Sequence, residues 1–524
     1  MASRRDELNA YTFAKRRTVA AFLQPSASGT EEGAPRPLRA VVPGLVSAAL
    51  VLGAFGAWGM FRPVAPKNWD APGAQVIVGR QSTTRYVVLT TTVNGKEQAR
   101  LHPVMNLASA RLLLDPAKSG VIQVDDKLLD QGRLPRGPVI GIPYAPDRLP
   151  APGDAGRAKR WAVCQRPGGN GRGVQSAAFV LAGREEKVMD GPRRLGDTQA
   201  LYVQNSEGAK ERYLVDSAGT KYRFPEGAPD AGTMTNAVVG TGAPPQQVTE
   251  AWLATLDSGD DLAFPELPAG AVGTGAGVQG LAGDDGRVGT VLKAMTGSGA
   301  QHYVVLPGKV VPVSDFVAWL LISSPATDGL DMHGKPREVD LQSLSPDPAP
   351  FKSGAKWPQK KVERINRPAS APSADAAGAT AGDRDTVCSV LRSVDGQGKP
   401  TLSTWAGAGF PFDVTAGGAS AYVTPGSGLL YTQLQGRQAT AGGSLFLVTD
   451  TGLRYALQAN GDSDAPKAKA QAQPTGDGRP QPSQAQARLG YGGVVPALVP
   501  IAWSQFLSKG PRLDTNSARQ PQGS

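Results

Sequence analysis

The sequence predicts an α+β protein: a short basic helix, one apolar helix, then a large body of short strands arranged about a central β-rich unit. Three observations carry this. An uncharged stretch of 22 residues at 40–61 interrupts an otherwise polar chain of 524 residues. Glycine (65) and proline (44) are abundant and aromatics are scarce, a composition of strands and turns rather than of a helical bundle. Strand-like runs with a glycine turn between them occur four times after residue 80.

The first element is SRRDELNAYTFAKRRTVAAFL, residues 3–23. Leu8, Tyr11, Val19 and Phe22 fall close to one helical stripe, so an amphipathic helix is expected. Arg4, Arg5, Lys15, Arg16 and Arg17 can meet lipid phosphates or acidic partner surfaces. With Leu8, Tyr11 and Phe22 they form the candidate docking set. An interfacial helix that only steadies the next element is the other reading.

Residues 40–61 come next. As a helix they reach about 33 Å, enough for a bilayer core, and Trp58 suits an interfacial belt. A cleaved signal peptide is the alternative. Its apolar region would be about 7–15 residues long, and here 39 residues come first. Arg36 and Arg39 add to the basic leader, whereas only Arg62 and Lys67 lie close on the other side. The positive-inside rule keeps 1–39 in the cytoplasm and 62–524 outside. The expected location is the cell membrane, single-pass.

Some 460 residues outside exceed one ordinary domain. Cys164 and Cys388 lie in strand-like runs, RWAVCQ and DTVCSVLRSV. In an oxidising compartment they can pair and join two strands of one central unit; two independent buried thiols remain the alternative. The net charge of +10 does not argue for nucleic acid in a body placed outside the membrane.

Four hairpins are expected, turning at Asn94-Gly95, Ala218-Gly219, Pro307-Gly308 and Thr451-Gly452. The second and fourth resemble each other, LVDSAGTKYRF against LVTDTGLRYAL. After them, PPQQVTEAWLATLDSGDDL and PALVPIAWSQFLSKGPRL align from Pro245 and Pro496. Trp252 then matches Trp503, Leu256 matches Leu507, Gly259 matches Gly510 and Leu262 matches Leu513. A third copy puts Pro312 and Trp319 at the same spacing. A degenerate fourth runs from Pro103 to Leu114. Proline at a helix start with Trp and Leu four apart makes a short amphipathic helix. Leu114, Trp252, Leu256, Trp319, Trp503 and Leu507 are therefore the expected repeat core. Each repeat is a hairpin plus a helix, too small to stand alone, and needs a hub. The cysteine strands are the candidate hub.

The expected order is a leader at 1–39, the span at 40–61, a stalk at 62–78 and repeat 1 at 79–150. The central unit comes next at 158–198, then repeat 2 at 199–265 and repeat 3 at 286–345. A basic and low-complexity linker occupies 346–383, with 370–383 read as disordered. The second central part is 384–415. Repeat 4 is 420–513 with a disordered insert at 460–487, and 514–524 is a loose tail. Lys352, Lys356, Lys360, Lys361, Arg364 and Arg367 crowd the linker. They read as a solvated basic loop, or as a contact for an anionic membrane or acidic partner.

The sequence carries no recognisable catalytic motif. His102, His302 and His333 form no metal-binding pair. There is no nucleophile elbow and no phosphate loop. Gly275, Gly277 and Gly280 spell G-x-G-x-x-G, but the residues after them read as loop and strand, not helix. Asp260 and Asp261 have no evident partner. No catalytic residue, metal ligand or cofactor is expected.

The leader resembles the opening of EccB, a membrane component of type VII (ESX) secretion systems, whose members begin S-R-[RK]-[DE]-Q-[LV]-x-A-x-x-F-x-x-R-R. Ser3, Arg4, Arg5, Asp6, Leu8, Ala10, Phe13, Arg16 and Arg17 fit, and Glu7 replaces the glutamine. The single span, the two cysteines and four degenerate repeats resemble the family as well. The resemblance implies a subunit that stabilises an inner-membrane complex during protein export, and the repeats, the hub and the absent motifs favour a non-catalytic structural role in it. It implies as partners the ATPase EccC, the multispanning EccD, in some systems EccE and a mycosin protease, the lipid bilayer, and further copies of the chain. Nucleotide hydrolysis has been ascribed to family members. An envelope nucleotide hydrolase and a cell-wall-binding module are the alternatives.

Overall fold

The computed structural model describes residues 3–23, 37–60, 66–93, 95–117, 120–168, 173–366, 384–414, 420–436, 443–458 and 482–522. It divides into two compact units, one holding residues 1–69 with 123–125, the other the remainder. The first contains two helices, Arg4–Leu23 and Pro37–Met60.

The second unit is built on a five-stranded sheet: β1 (Arg160–Pro167), β2 (Val174–Leu181), β3 (Thr386–Val394), β4 (Pro400–Gly407) and β5 (Ser420–Val423), in the order β4-β3-β1-β2-β5. The two cysteine strands lie side by side and antiparallel, with Cys388 opposite Cys164. The disulfide Cys164–Cys388 joins them, both residues fully buried. β5 pairs with β2 in parallel, so residues 420–423 belong to the central sheet and not to the fourth repeat. The run Pro425-Gly426-Ser427-Gly428 divides β5 from the fourth lobe, and the expected bound at residue 420 passed over that break.

Around this sheet are four lobes, each opening with a three-stranded antiparallel meander. In every lobe the expected hairpin supplies the second and third strands. They are Arg85–Val93 with Lys96–Val104, Arg212–Asp216 with Thr220–Arg223, Gly299–Leu306 with Lys309–Val313, and Leu445–Val448 with Leu453–Leu457. Gly95, Gly219, Gly308 and Gly452 sit at the turns with φ of 76°, 79°, 72° and 78°, a conformation that favours glycine. The first strands are Gln75–Gly79, Gln199–Asn205, Val291–Thr296 and Leu429–Leu434. A hairpin-plus-helix unit is therefore corrected to a meander with further elements after it.

Those further elements fall into two kinds, which corrects the fourfold alignment. In the second and fourth lobes, Pro245 and Pro496 precede not a helix but a short parallel strand, Gln246–Val248 or Ala497–Pro500. A single helical turn comes next, Glu250–Leu253 or Ile501–Ser504, then two more strand residues, Asp257–Ser258 or Ser508–Lys509. Pro312 and Pro103 instead lie in the third strand of their meanders. The helices after them, Asp315–Ile322 and Leu107–Leu113, come directly off the meander. Trp319 and Leu114 are thus not the counterparts of Trp252 and Leu256.

The layering also differs from a hub surrounded by four repeats. One face of the central sheet (Trp161, Val163, Val387, Leu391) shares a core with lobe 2 (Leu201, Val215, Trp252) and lobe 4 (Leu429, Tyr431, Trp503). The opposite face of the lobe 4 sheet (Leu430, Leu447, Tyr455) packs on lobe 1 (Val87, Leu112, Ile140). The opposite face of the lobe 2 sheet (Tyr202, Leu214, Tyr222) packs on Phe316 and Leu320 of lobe 3. The order of packing is therefore 1–4–centre–2–3. Strand residues alternate between the two cores, and this buries the inner sheets on both faces.

Several boundaries move. The stalk at 62–78 ends early, because Val76 and Ile77 are core residues of lobe 1. Lobe 3 begins before residue 286, since Ala276, Val278 and Leu281 pack in its core. Much of the supposed linker is built in: Glu363–Arg364 pairs with Gln199–Ala200. Asn366 is buried, accepting from the Tyr202 N–H (2.8 Å) and donating to the Tyr202 carbonyl (2.9 Å). Residues 370–383 lie outside the described residues, as does the insert over 460–481. Its last part does not fit the expectation, because Ala485 and Gln486 are buried in the helix Gln484–Gln486. The tail is not loose either. Asp514 caps the helix Thr515–Arg519 by accepting from the Ser517 N–H (2.8 Å), and Ala518 is buried.

Candidate functional site

The helix Arg4–Leu23 starts from a cap in its first residues. Ser3 caps it: the Ser3 N–H donates to Asp6 Oδ2 (3.1 Å), and Ser3 Oγ accepts from the Arg5 N–H (3.3 Å). Arg4, Arg5, Leu8, Tyr11, Lys15, Arg16, Arg17 and Phe22 are all exposed, Phe22 to 91%. At 100° per residue, Leu8, Tyr11, Val19 and Phe22 occupy an arc of about 80°. Arg4 and Lys15 fall in the same arc and Phe13 on the far side. The amphipathic face is thus narrower and more mixed than the apolar spacing alone suggests.

Pro37–Met60 is a helix of 24 residues with Pro43 inside it. Its side chains are described over residues 41–57, where Val42, Leu45, Leu50, Leu52 and Phe55 are exposed. Among the described residues no helix is long and apolar enough to cross a membrane.

In the body, Trp252 and Trp503 are buried in one shared core with Leu256 and Leu507, and the Trp252 indole donates to the Val163 carbonyl of β1 (2.9 Å). Leu114 is buried in the core between lobes 1 and 4. Trp319 is only half-buried. Its indole donates to the Ala237 carbonyl (3.1 Å), and Lys361 Nζ stands 3.2 Å from the ring centroid.

The two alike hairpins occupy alike places. Lys221 and Arg454, at matching positions, each stack on a matching aromatic, Tyr213 at 5.7 Å and Phe446 at 5.3 Å. Lys221 donates to the Leu253 carbonyl (2.8 Å) and Arg454 to Ser504 Oγ (2.6 Å). Burial holds the Lys221 ammonium below its usual range. Gly259 and Gly510 lie flat against the rings of Tyr222 and Tyr455, leaving no room for a Cβ. Sequence reasoning saw the matched glycines but not these cations, whose roles depend on contacts between segments.

Residues 1–523 match the family described as the type VII secretion system ESX-1, transport TM domain B. The chain belongs to the EccB family. It is 24% identical over 445 residues to the "ESX-1 secretion system ATPase EccB1" of Mycolicibacterium smegmatis, covering 81% of this chain and 80% of the relative. It is 31% identical over 361 residues to the "ESX-5 secretion system ATPase EccB5" of Mycobacterium marinum, covering 66% of this chain and 63% of that relative. Its fold is similar to a chain in the structure of an intact ESX-5 inner membrane complex, at a TM-score of 0.55 and 20% identity over 100% of this chain and 96% of the other. It is likewise similar to the EccB3 dimer from the ESX-3 core complex, at a TM-score of 0.53 and 22% identity over 85% and 99%.

The remaining candidates in this EccB chain resolve into structural contacts. His302 Nδ1 lies 2.9 Å from Asp315 Oδ1 at the start of the lobe 3 helix. His102 is buried with Nδ1 3.1 Å from the Pro138 carbonyl. His333 sits in a turn at φ 50°. Gly275–Gly280 is a loop with neither a strand before it nor an α-helix after it. Asp260 and Asp261 do have partners: Asp260 accepts from the Lys356 N–H (2.8 Å), and Asp261 pairs with Arg223. The basic cluster is partly engaged, with Lys360 on Asp197 (2.6 Å) and Arg364 donating to the Pro244 carbonyl (3.3 Å). Arg367 lies outside the described residues. Among the described residues no three metal-ligating side chains are grouped.

Proposed function

We propose that this chain is a structural, non-catalytic subunit of a type VII secretion inner-membrane complex. The family match across residues 1–523 carries the reading. Taken whole, beyond the 41–57 stretch whose side chains are described, the helix Pro37–Met60 anchors it as a single membrane span. At 1.5 Å per residue its 24 residues reach about 36 Å, and residues 40–61 carry no charge. The basic leader then stays in the cytoplasm and the lobed body lies outside, where it stabilises the assembly during export. The exposed helix Arg4–Leu23 packs on lipid headgroups and on neighbouring subunits, through the basic residues Arg4, Arg5, Lys15, Arg16 and Arg17 and through Leu8, Tyr11 and Phe22. The partners are the EccC ATPase, EccD and, in some systems, EccE and a mycosin, together with further copies of this chain.

Mild solubilisation of the tagged full-length protein from its native membranes tests this. A large assembly containing an FtsK-like ATPase and a multispanning subunit is expected. Recovery as a monomer or small homo-oligomer, from membranes that hold those subunits, would overturn the reading. The relatives' names favour a second reading, intrinsic ATP hydrolysis. Turnover of ATP by the purified full chain, free of the partner ATPase, would establish it.

A further inference from the structure

The first strand of lobe 3, Val291–Thr296, is paired along its whole length with Gly299–Leu306 on one side. On the other side only Leu292 and Lys293 are paired, with Arg337 and Glu338. That pairing closes with the Val339 N–H donating to the Lys293 carbonyl (3.0 Å). The chain then turns over Leu341–Ser343, held by the Ser343 N–H donating to the Asp340 carbonyl (3.0 Å). Backbone groups of alternate residues in a strand point to the same side. Met295 therefore directs its N–H and C=O to the side that Val339 has left. Among the described residues no backbone hydrogen bond meets them there.

A cleft of about 500 Å³ lies at this gap, within the size range of ligand sites. Met295, 67% exposed, and Leu341, 40% exposed, give it apolar surface. Three carboxylates line it, Asp285, Glu338 and Asp340, against one ammonium, Lys293. Lys293 pairs with Glu338 (3.0 Å), and Asp285 lies 3.7 Å from Arg337. The Asp340 carboxylate has no hydrogen bond or ion pair among the described residues. The opening is short, bounded by Val339 at one end and the Gly297-Ser298 turn at the other. A second copy's sheet edge, which is flat over several residues, would meet the segment 339–343 before it reached Met295. A single extended chain fits.

We propose that this cleft takes an extended peptide segment of a partner protein, added as a further strand beside Met295. The segment exchanges backbone hydrogen bonds with the Met295 N–H and C=O. An apolar side chain lies against Met295 and Leu341, and a neighbouring basic side chain reaches Asp340.

The probe is the peptide Thr-Val-Lys-Val-Thr, labelled with fluorescein at its N-terminus, amidated at its C-terminus and read by anisotropy against the full-length protein. Saturable binding is expected. Two further peptides carry N-methyl groups on alternate amides, one on the second and fourth, the other on the third and fifth. Only one edge of an added strand faces Met295. One methylated form should therefore bind about tenfold more weakly or worse, and the other nearly as well as the parent. Asp340→Asn, at a side chain that caps nothing, leaves the fold intact and should raise the Kd about threefold. Hydrogen exchange of the Met295 amide should slow at saturation. No saturable binding, equal losses in the two methylated forms, an unchanged Kd in Asp340→Asn or unslowed exchange at Met295 would overturn the proposal. Protection of Met295 in the peptide-free protein that grows with protein concentration would put a second copy at the gap, and would overturn it as well.

Discussion

At the residue scale, the two kinds of tryptophan separate by their surroundings. Trp252→Ala removes a fully buried ring and its hydrogen bond to Val163, and should destabilise the body by about 3–5 kcal/mol. Trp319→Ala removes a half-buried ring and a cation contact with Lys361; the loss should stay below about 3 kcal/mol. Thermal or denaturant melts of the purified protein measure both, and equal losses would contradict the corrected alignment. The sequence showed both residues at one spacing from a proline. It could not show that one spacing begins before an added strand and the other inside a meander. His102 makes a pH prediction. Burial holds its pKa below the ordinary 6.5, so the unfolded chain takes up a proton that the folded state resists. Stability is full above that value and falls as the pH drops below it. The denaturation midpoint should decline between about pH 7.5 and pH 5.5, and His102→Gln should flatten the decline. An equal decline in the variant would assign it to other groups.

At the scale of the element, the hairpins were legible because each has a turn glycine and alternating or β-branched flanks. The first strands of the second and fourth meanders were not. Gln199–Asn205 and Leu429–Leu434 are buried on both faces, so their apolar residues run together without a period. The C-terminal helix was missed for a different reason. Five residues give no apolar periodicity, and its one signal is the Asp514-x-x-Ser517 cap, which is too short to stand out. Asp514→Ala should cost about 1 kcal/mol. Ending the chain at Leu513 should cost more, because it also removes Ala518 and Thr515 from the core against the Leu107–Leu113 helix. If the truncated protein melts no lower than Asp514→Ala, the tail contributes nothing beyond its cap.

At the scale of the whole molecule, the serial packing order sets where the body opens first. Lobe 2 and lobe 4 are each held on both sheet faces, and the central sheet is closed by the bridge between residues 164 and 388. Lobe 3 has its own cores and reaches lobe 2 through Phe316, Leu320 and Trp319 on one helix and through Trp357, which packs on the cores of both lobes. A unit attached through one interface can unfold while its neighbour stays folded, whereas an inner lobe cannot leave without exposing two cores. Amide hydrogen exchange should therefore be slowest in β1 and β3 and in the first strands of lobes 2 and 4, and faster through the strands Val291–Thr296 and Gly299–Leu306 of lobe 3. Removing the bridge with the Cys164→Ser, Cys388→Ser pair sharpens the test. It should lower global stability by up to about 5 kcal/mol in the chain-entropy account, and so bring exchange at the centre closer to that of lobe 3. Lobe 3 itself should barely change, because its local opening does not require the centre to part. Equal acceleration in both places would mean that the five packed units unfold as one, and that the serial order has no energetic consequence.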